Sequence, residues 1–241
     1  MTKLTVIPLD GGWMSPVFAD DGKTLILIDC GLDRTVDELV TAAQKNGIDL
    51  DKLTYVIFTH QDGDHVEGYL PLKKQYPNIK LITSAIDKEQ FEKRVKFDRQ
   101  MKAEASAKTA DGEEKERLNQ IIANYEKKGP ITVDIAVNDG DMYNWCGGVE
   151  FISTPGHLPG HVMVYLKENK TLITGDGMLA SSGKLQMANP VYTVDMDEAA
   201  RSIEKCMKYD INQIICYHGG TVTGDCKAAM EKVVSDYRAS E

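Results

Sequence analysis

The chain has 241 residues, 42% of them hydrophobic, and a formal net charge of −9. That is enough chain to bury a full core without covalent staples. The acidity gives neither the basic footprint of a nucleic-acid binder nor an attraction to anionic membranes, so neither nucleic acid nor a membrane is expected as a partner. Met1 to Asp10 shows no basic segment ahead of a long apolar run, as a secretory signal would, and no apolar stretch of about 18 residues is present to span a bilayer. The cysteines, Cys30, Cys146, Cys206, Cys216 and Cys226, are odd in number and form no CxxC pair. They fit reduced thiols in a cytoplasmic protein better than a disulfide framework or a zinc ribbon.

In chain order, short apolar runs predict buried strands at Thr24–Ile28, Tyr55–Phe58, Lys80–Ile82, Val149–Ile152, His161–Leu166, Thr171–Thr174 and Ile211–Tyr217. Helical spacing predicts helices at Thr35–Lys45, through Val36, Leu39, Val40 and Ala43, and at Asp197–Met207, through Ala199, Ala200, Ile203 and Met207. Asp225–Tyr237 reads as a final helix. Residues 87–128 differ in composition: Lys, Glu, Arg, Gln and Ala dominate, and the only glycine is Gly112. They are expected to form a charged helical pair broken near Thr109–Gly112, inserted into a single domain spanning residues 1–241. Such a segment is either a solvated hairpin or a lid. A fold complete without it should tolerate its replacement by a short linker.

The chain also echoes itself. Lys23-Thr24-Leu25-Ile26-Leu27-Ile28-Asp29 resembles Lys170-Thr171-Leu172-Ile173-Thr174-Gly175-Asp176. Each segment follows a turn signal and precedes a helix that opens with Asp-Glu, at Asp37-Glu38 and Asp197-Glu198. Each helix leads to a strand ending in histidine, at His60 and His218. Several matches in one order predict two β-β-α-β halves related by a pseudo-twofold axis.

All five histidines lie at or just beyond a predicted strand edge. His60, His157, Asp176 and His218 each follow a different strand, the pattern by which rigid elements deliver side chains to one site. The densest cluster is His60-Gln61-Asp62-Gly63-Asp64-His65, where Gly63 is expected to permit a tight path between ligands. A lone histidine is usually a satisfied polar or core residue. Packed ligand types joined by distant ones point instead to a metal site, and imidazole with carboxylate suits zinc, manganese or iron.

These residues resemble the metallo-β-lactamase superfamily, whose motif reads His-x-His-x-Asp-His followed by a distant His, Asp and His. His60, Asp64 and His65 match the first part. Thr154-Pro155-Gly156-His157, Gly175-Asp176 and Tyr217-His218-Gly219 match the rest, and Ile28-Asp29-Cys30-Gly31 resembles an early strand-end Asp-x-Gly. The resemblance implies an α/β fold, a four-layer αββα sandwich. It implies two divalent ions, zinc first among the candidates: His60, Asp62 and His157 on one, Asp64, His65 and His218 on the other, Asp176 bridging. A hydroxide shared by the ions would attack a carbonyl or phosphoryl centre, with Asp64 placed to take a proton. The function implied is hydrolysis of a small ester-like substrate: lactone, thioester, amide or phosphoester. Asp62 departs from the motif's second histidine and makes that site harder, so iron or manganese stay open. The same departure resembles the flavodiiron branch, so a diiron redox or oxygen-handling protein is the alternative, and a non-catalytic metal-binding protein of this fold is a third. No flavin-binding segment is visible, and every ligand position holds a competent residue. Asp29 and His161 are expected behind the ligands, while Tyr192 could reach a substrate oxygen and Lys184 an anionic group, or both could be ordinary loop residues.

Overall fold

Strict alternation decides which side of each strand meets which layer. A computed structural model of the protein describes residues 1–240. Its first half contains β1 (Lys3–Val6), β2 (Val17–Asp20), β3 (Leu25–Ile28), α1 (Val36–Lys45), β4 (Leu53–Ile57), the single turn α2 (Gly63–Val66), α3 (Tyr69–Gln75), β5 (Lys80–Ser84), α4 (Ala85–Phe91), α5 (Asp98–Ala107), α6 (Gly112–Lys127) and β6 (Ile135–Val137). The second half contains β7 (Met142–Tyr143), β8 (Val149–Ser153), β9 (Val162–Leu166), β10 (Thr171–Ile173), a hairpin of β11 (Met178–Ser181) and β12 (Lys184–Met187), α7 (Met196–Cys206), β13 (Gln213–Cys216), β14 (Gly220–Thr223) and α8 (Cys226–Ala239).

Two six-stranded sheets result, ordered β1-β2-β3-β4-β5-β6 and β14-β13-β10-β9-β8-β7, with β11-β12 a separate two-stranded sheet. In β3, Leu25 and Leu27 face outward into a cluster with Val36, Leu39 and Ala43 of α1. Their neighbours Ile26 and Ile28 face inward and meet Phe151, Val164 and Ile173 of the other sheet. In β13, Ile215 joins that same inner layer while Ile214 and Cys216 pack under Ala200 and Ile203 of α7 and Met230 of α8. One inner cluster between the sheets and one outer cluster beneath each helical layer make the αββα sandwich.

The internal echo is present in the connectivity. β2 pairs antiparallel with β3, which runs parallel to β4 after the α1 crossover. β9 pairs antiparallel with β10, which runs parallel to β13 after the α7 crossover. Beyond that unit the halves diverge: β4 next meets the parallel β5, whereas β13 meets the antiparallel β14.

The insertion differs from expectation in two respects. It holds three helices, not a pair, although the break between α5 and α6 falls at the predicted Thr109–Gly112. Its first part is also core: Phe91 and Phe97 belong to the outer cluster of the first sheet, and an aromatic chain runs from Phe58 through Phe91 and Phe97 to Tyr125, with centroids 5.3, 5.5 and 5.3 Å apart. Only the α5–α6 hairpin stands outside the sandwich, with Leu118 the one buried side chain of α6 among the described residues. The described cysteines are all buried and unpaired.

Candidate metal centre

Four predicted ligands sit just past the C-terminal end of a strand at one edge of the sandwich, His60 after β4, His157 after β8, Asp176 after β10 and His218 after β13, while Asp62 precedes the turn α2 and Asp64 and His65 lie within it. Two turns there admit only glycine. Gly156 has φ +130, and a Cβ on it would fall 2.3 Å from the Ala199 nitrogen of α7. Gly219 has φ +92, and its Cβ would fall 1.6 Å from the Ala180 carbonyl. Gly63 does not act this way: it opens α2, and its φ is not left-handed.

Two groups of ligand atoms form, each with its members within 4.8 Å of one another: His60, His157 and Asp176, and Asp64, His65 and His218. Asp176 faces both. Its Oδ1 lies 3.2 Å from His65 Nε2 and 3.4 Å from His218 Nε2, and its Oδ2 lies 3.7 Å from His157 Nε2. Asp64 Oδ2 is 3.2 Å from His218 Nε2. Asp62 joins the first group, its Oδ2 lying 3.2 Å from His157 Nε2 and 3.5 Å from His60 Nε2.

The ring orientations are fixed from behind. His65 Nδ1 meets Asp29 Oδ2 at 2.8 Å, and His218 Nδ1 meets the Trp13 carbonyl at 2.7 Å. Both partners accept only, so each Nδ1 carries a proton, and the neutral ring presents its lone pair at Nε2. The other two rings reach the same state through threonines. Thr59 Oγ1 donates to Asp29 Oδ2 at 2.8 Å and so accepts from His60 Nδ1 at 3.0 Å. Thr193 Oγ1 donates to the Asn189 carbonyl at 2.8 Å and so accepts from His157 Nδ1 at 3.3 Å. Four Nε2 atoms therefore gather around Asp176, that of His157 also meeting Arg99 Nη2 at 3.2 Å. Among the described residues, His60 Nε2, His65 Nε2 and Asp176 Oδ1 are buried without a hydrogen-bond partner. Such atoms are costly unless satisfied, and a cation satisfies them all.

Charge points the same way. Burial would lower the His65 pKa, but Asp29, Asp176 and Asp64 outweigh it and hold the ring well above the usual imidazole value. Burial would raise the Asp176 carboxyl, yet His65, His60 and His157 keep it well below the ordinary carboxylate range. A setting that stabilises positive charge on a buried imidazole is one that attracts a metal ion.

Asp29 lies behind His65 and Thr59. It is buried at φ 56, a strained conformation for a residue other than glycine, and accepts from Thr59 and His65. His161 is fully buried beneath His60, ring centroids 5.2 Å apart, and its Nδ1 is turned to Thr154 Oγ1 at 2.8 Å, away from the ligands. Tyr192 is exposed in the wall of a cavity of about 820 Å³ that also exposes Asp62, Asp64, Asp176 and His218. Lys184 lies exposed at the start of β12. Sequence reasoning missed Thr59, Thr193, the Trp13 carbonyl and Tyr217, whose hydroxyl holds the Asp64 carbonyl at 2.6 Å. It also missed Arg99, which grips both oxygens of Asp62, Nε to Oδ1 at 2.8 Å and Nη2 to Oδ2 at 2.5 Å.

A family model described as the metallo-beta-lactamase superfamily matches residues 15–218. The chain belongs to that superfamily. Among curated relatives it is 25% identical over 182 residues to the probable metallo-hydrolase YybB of Bacillus subtilis (strain 168), covering 75% of this chain and 69% of that protein. It is 23% identical over 194 residues to a hydroxyacylglutathione hydrolase of Synechococcus sp., covering 77% of this chain but only 57% of that longer protein. Among solved structures, a superfamily protein from Thermus thermophilus aligns at TM-score 0.71 with 17% identity, over 98% of this chain and 79% of the other. A point mutant of the flavo di-iron protein from Thermotoga maritima aligns at TM-score 0.64 with 16% identity, over 92% of this chain and 52% of that one. These likenesses establish the fold; the superfamily and the ligand groups together make this a metallo-hydrolase site in general terms.

Proposed function

We propose that the protein hydrolyses a small ester-like substrate with two adjacent divalent ions held at this centre. The observation that carries the reading is the convergence of four Nε2 atoms on the two oxygens of Asp176 at the floor of the cavity. These residues would hold two ions, which would supply a hydroxide near neutral pH and polarise a carbonyl or phosphoryl oxygen. The protein's own residues do the rest. Asp176 keeps the two groups in register, and Asp64 borders the cavity where a proton leaving the nucleophile can be received. Trp13, Leu179, Val191 and Tyr192 give the cavity an apolar rim for the remainder of the substrate, and α5 and α6 form its far wall.

We put thioesters first among the candidates, a choice supported by the likeness to a hydroxyacylglutathione hydrolase. Zinc is the metal we favour, because imidazole dominates the set, with iron or manganese the alternatives that Asp62 allows. We place the protein in the cytoplasm, acting on a small molecule. The second reading is a diiron redox protein; Asp62 and the flavo di-iron likeness support it. One experiment separates the two. Metal content is measured on purified protein, which is then assayed on thioester, lactone, amide and phosphoester substrates. Chelator-sensitive hydrolysis of one class, restored by metal, is the expected result. Stoichiometric iron with dioxygen consumption and no hydrolysis would favour the second reading.

A further inference from the structure

Each histidine of the centre has a partner that fixes its orientation, and Asp62 has one too, supplied from far away in the chain. Arg99, the second residue of α5, lies 37 residues beyond Asp62 and belongs to the inserted hairpin. Its Nε holds Asp62 Oδ1 at 2.8 Å, which turns that oxygen away from the histidines and leaves Oδ2 as the one facing His157 and His60 at 3.2 and 3.5 Å. Arg99 Nη2 lies 2.5 Å from that same Oδ2 and 3.2 Å from His157 Nε2, an edge it would yield to a bound ion, and Nη1 donates to the Tyr192 carbonyl at 2.6 Å. The guanidinium is mostly buried, with 15% of its side chain exposed. The residue before it strengthens the grip. Asp98 Oδ2 accepts from Gln61 Nε2 at 2.8 Å, and the Asp98 amide donates to Gln61 Oε1 at 3.2 Å, so Asp98-Arg99 clasps Gln61-Asp62 as one unit.

We infer that the Asp62–Arg99 pair stands in for a histidine at the first metal site, with Arg99 as its positioning residue. The inference rests on the metal centre proposed above. Two physical requirements lead to it. A carboxylate offers two oxygens and can swing or chelate, whereas an imidazole oriented through Nδ1 offers a single atom; the guanidinium removes that freedom by fixing Oδ1. A carboxylate also brings a negative charge that an imidazole does not, and the buried guanidinium offsets it. The pair therefore presents one directed donor atom and no net charge, as a histidine does.

The consequence is a coupled pair of positions, which a double-mutant cycle reads. The variants are Arg99→Met, Asp62→His and the two combined. The readouts are zinc and cobalt per chain after dialysis against graded chelator, and the visible spectrum of the cobalt form. In Arg99→Met, the first ion should bind about 10- to 100-fold more weakly while the second keeps its affinity. In Asp62→His alone, Arg99 loses its carboxylate and leaves a buried cation beside His157, so the first ion should again weaken. The double variant should regain two ions, with first-site affinity above that of either single change. Unchanged or tighter first-site binding in Arg99→Met would overturn the inference. So would a double variant no better than Asp62→His, a comparison that stands even if Arg99→Met alone fails to fold. If the parent protein binds no pair of ions at all, the metal-centre reading fails instead, and the two failures are distinct.

Discussion

The two ligand groups lie side by side yet are supported by different parts of the chain. The second group is backed wholly by the sandwich and its short edge loops: Asp29 holds His65, the Trp13 carbonyl holds His218, and Tyr217 holds the Asp64 backbone. The first group leans on segments added to that frame: Arg99 of the α5–α6 hairpin holds Asp62, and Thr193, in the loop before α7, holds His157. The difference teaches that one half of the centre is as rigid as the fold, while the other can vary with the insertion that also shapes the substrate cavity. A site built in this way can keep one ion constant and tune the other.

The largest effect should come from the residue that ignores the division. Asp29 serves His65 directly and His60 through Thr59. Asp29→Ala should weaken both ions about 10- to 100-fold and destabilise the fold by about 3 kcal/mol, from buried hydrogen bonds to a charged group left unmade. Chelator titration and denaturant unfolding check this; loss of one ion alone would mean the two groups do not share that support. Next comes excision of residues 98–127 in favour of a Gly/Ser linker, which leaves Phe91 and Phe97 in the core. The shortened protein should stay folded and keep the second ion, yet lose most of the first with Arg99. Two retained ions would show that the hairpin is only a cover.

That second expectation differs from what the sequence alone suggests, and the reason is physical. The strands that position the centre are legible because buried β-structure writes itself locally: the runs at residues 24–28, 55–58, 149–152 and 211–217 each contain the core of an observed strand. The ligands are legible because strand-end histidines and aspartates have few other uses. β1, β6 and β7 at the sheet edges are partly exposed and too short for their apolar residues to stand out as a strand. The partners of the ligands leave no local trace either. Arg99 looks like any charged residue on a polar helix, and His218 is held by a backbone carbonyl 205 residues away. Phe91 and Phe97 are the readable sign that the insertion begins as core.

Smaller effects sharpen the comparison. Thr193→Val removes the acceptor for His157 Nδ1. It should weaken the first ion about 10-fold, the lower end for such a partner, and leave the second untouched. Equal weakening of both would dissolve the distinction. The last change is in pH dependence and not in metal binding, and it lies beneath the first group. Burial, with Asp98 and Asp62 nearby, pushes the Asp87 carboxyl up to about 8. In the unfolded chain it ionises near pH 4, so between about pH 4 and pH 8 folding takes up a proton and stability falls as the pH rises. Asp87→Asn should remove that slope: its Tm should exceed the parent's at pH 8 and converge with it near pH 4. A parent Tm that rises over this interval relative to the variant would contradict the assignment.

The central claim is a pair of ions bridged by Asp176, and anomalous diffraction from the metal-reconstituted protein tests it most directly. Two peaks about 3.5–4 Å apart are expected. One should be bordered by His60, Asp62 and His157, the other by Asp64, His65 and His218, with Asp176 between them. A single peak, or peaks away from these residues, would contradict it.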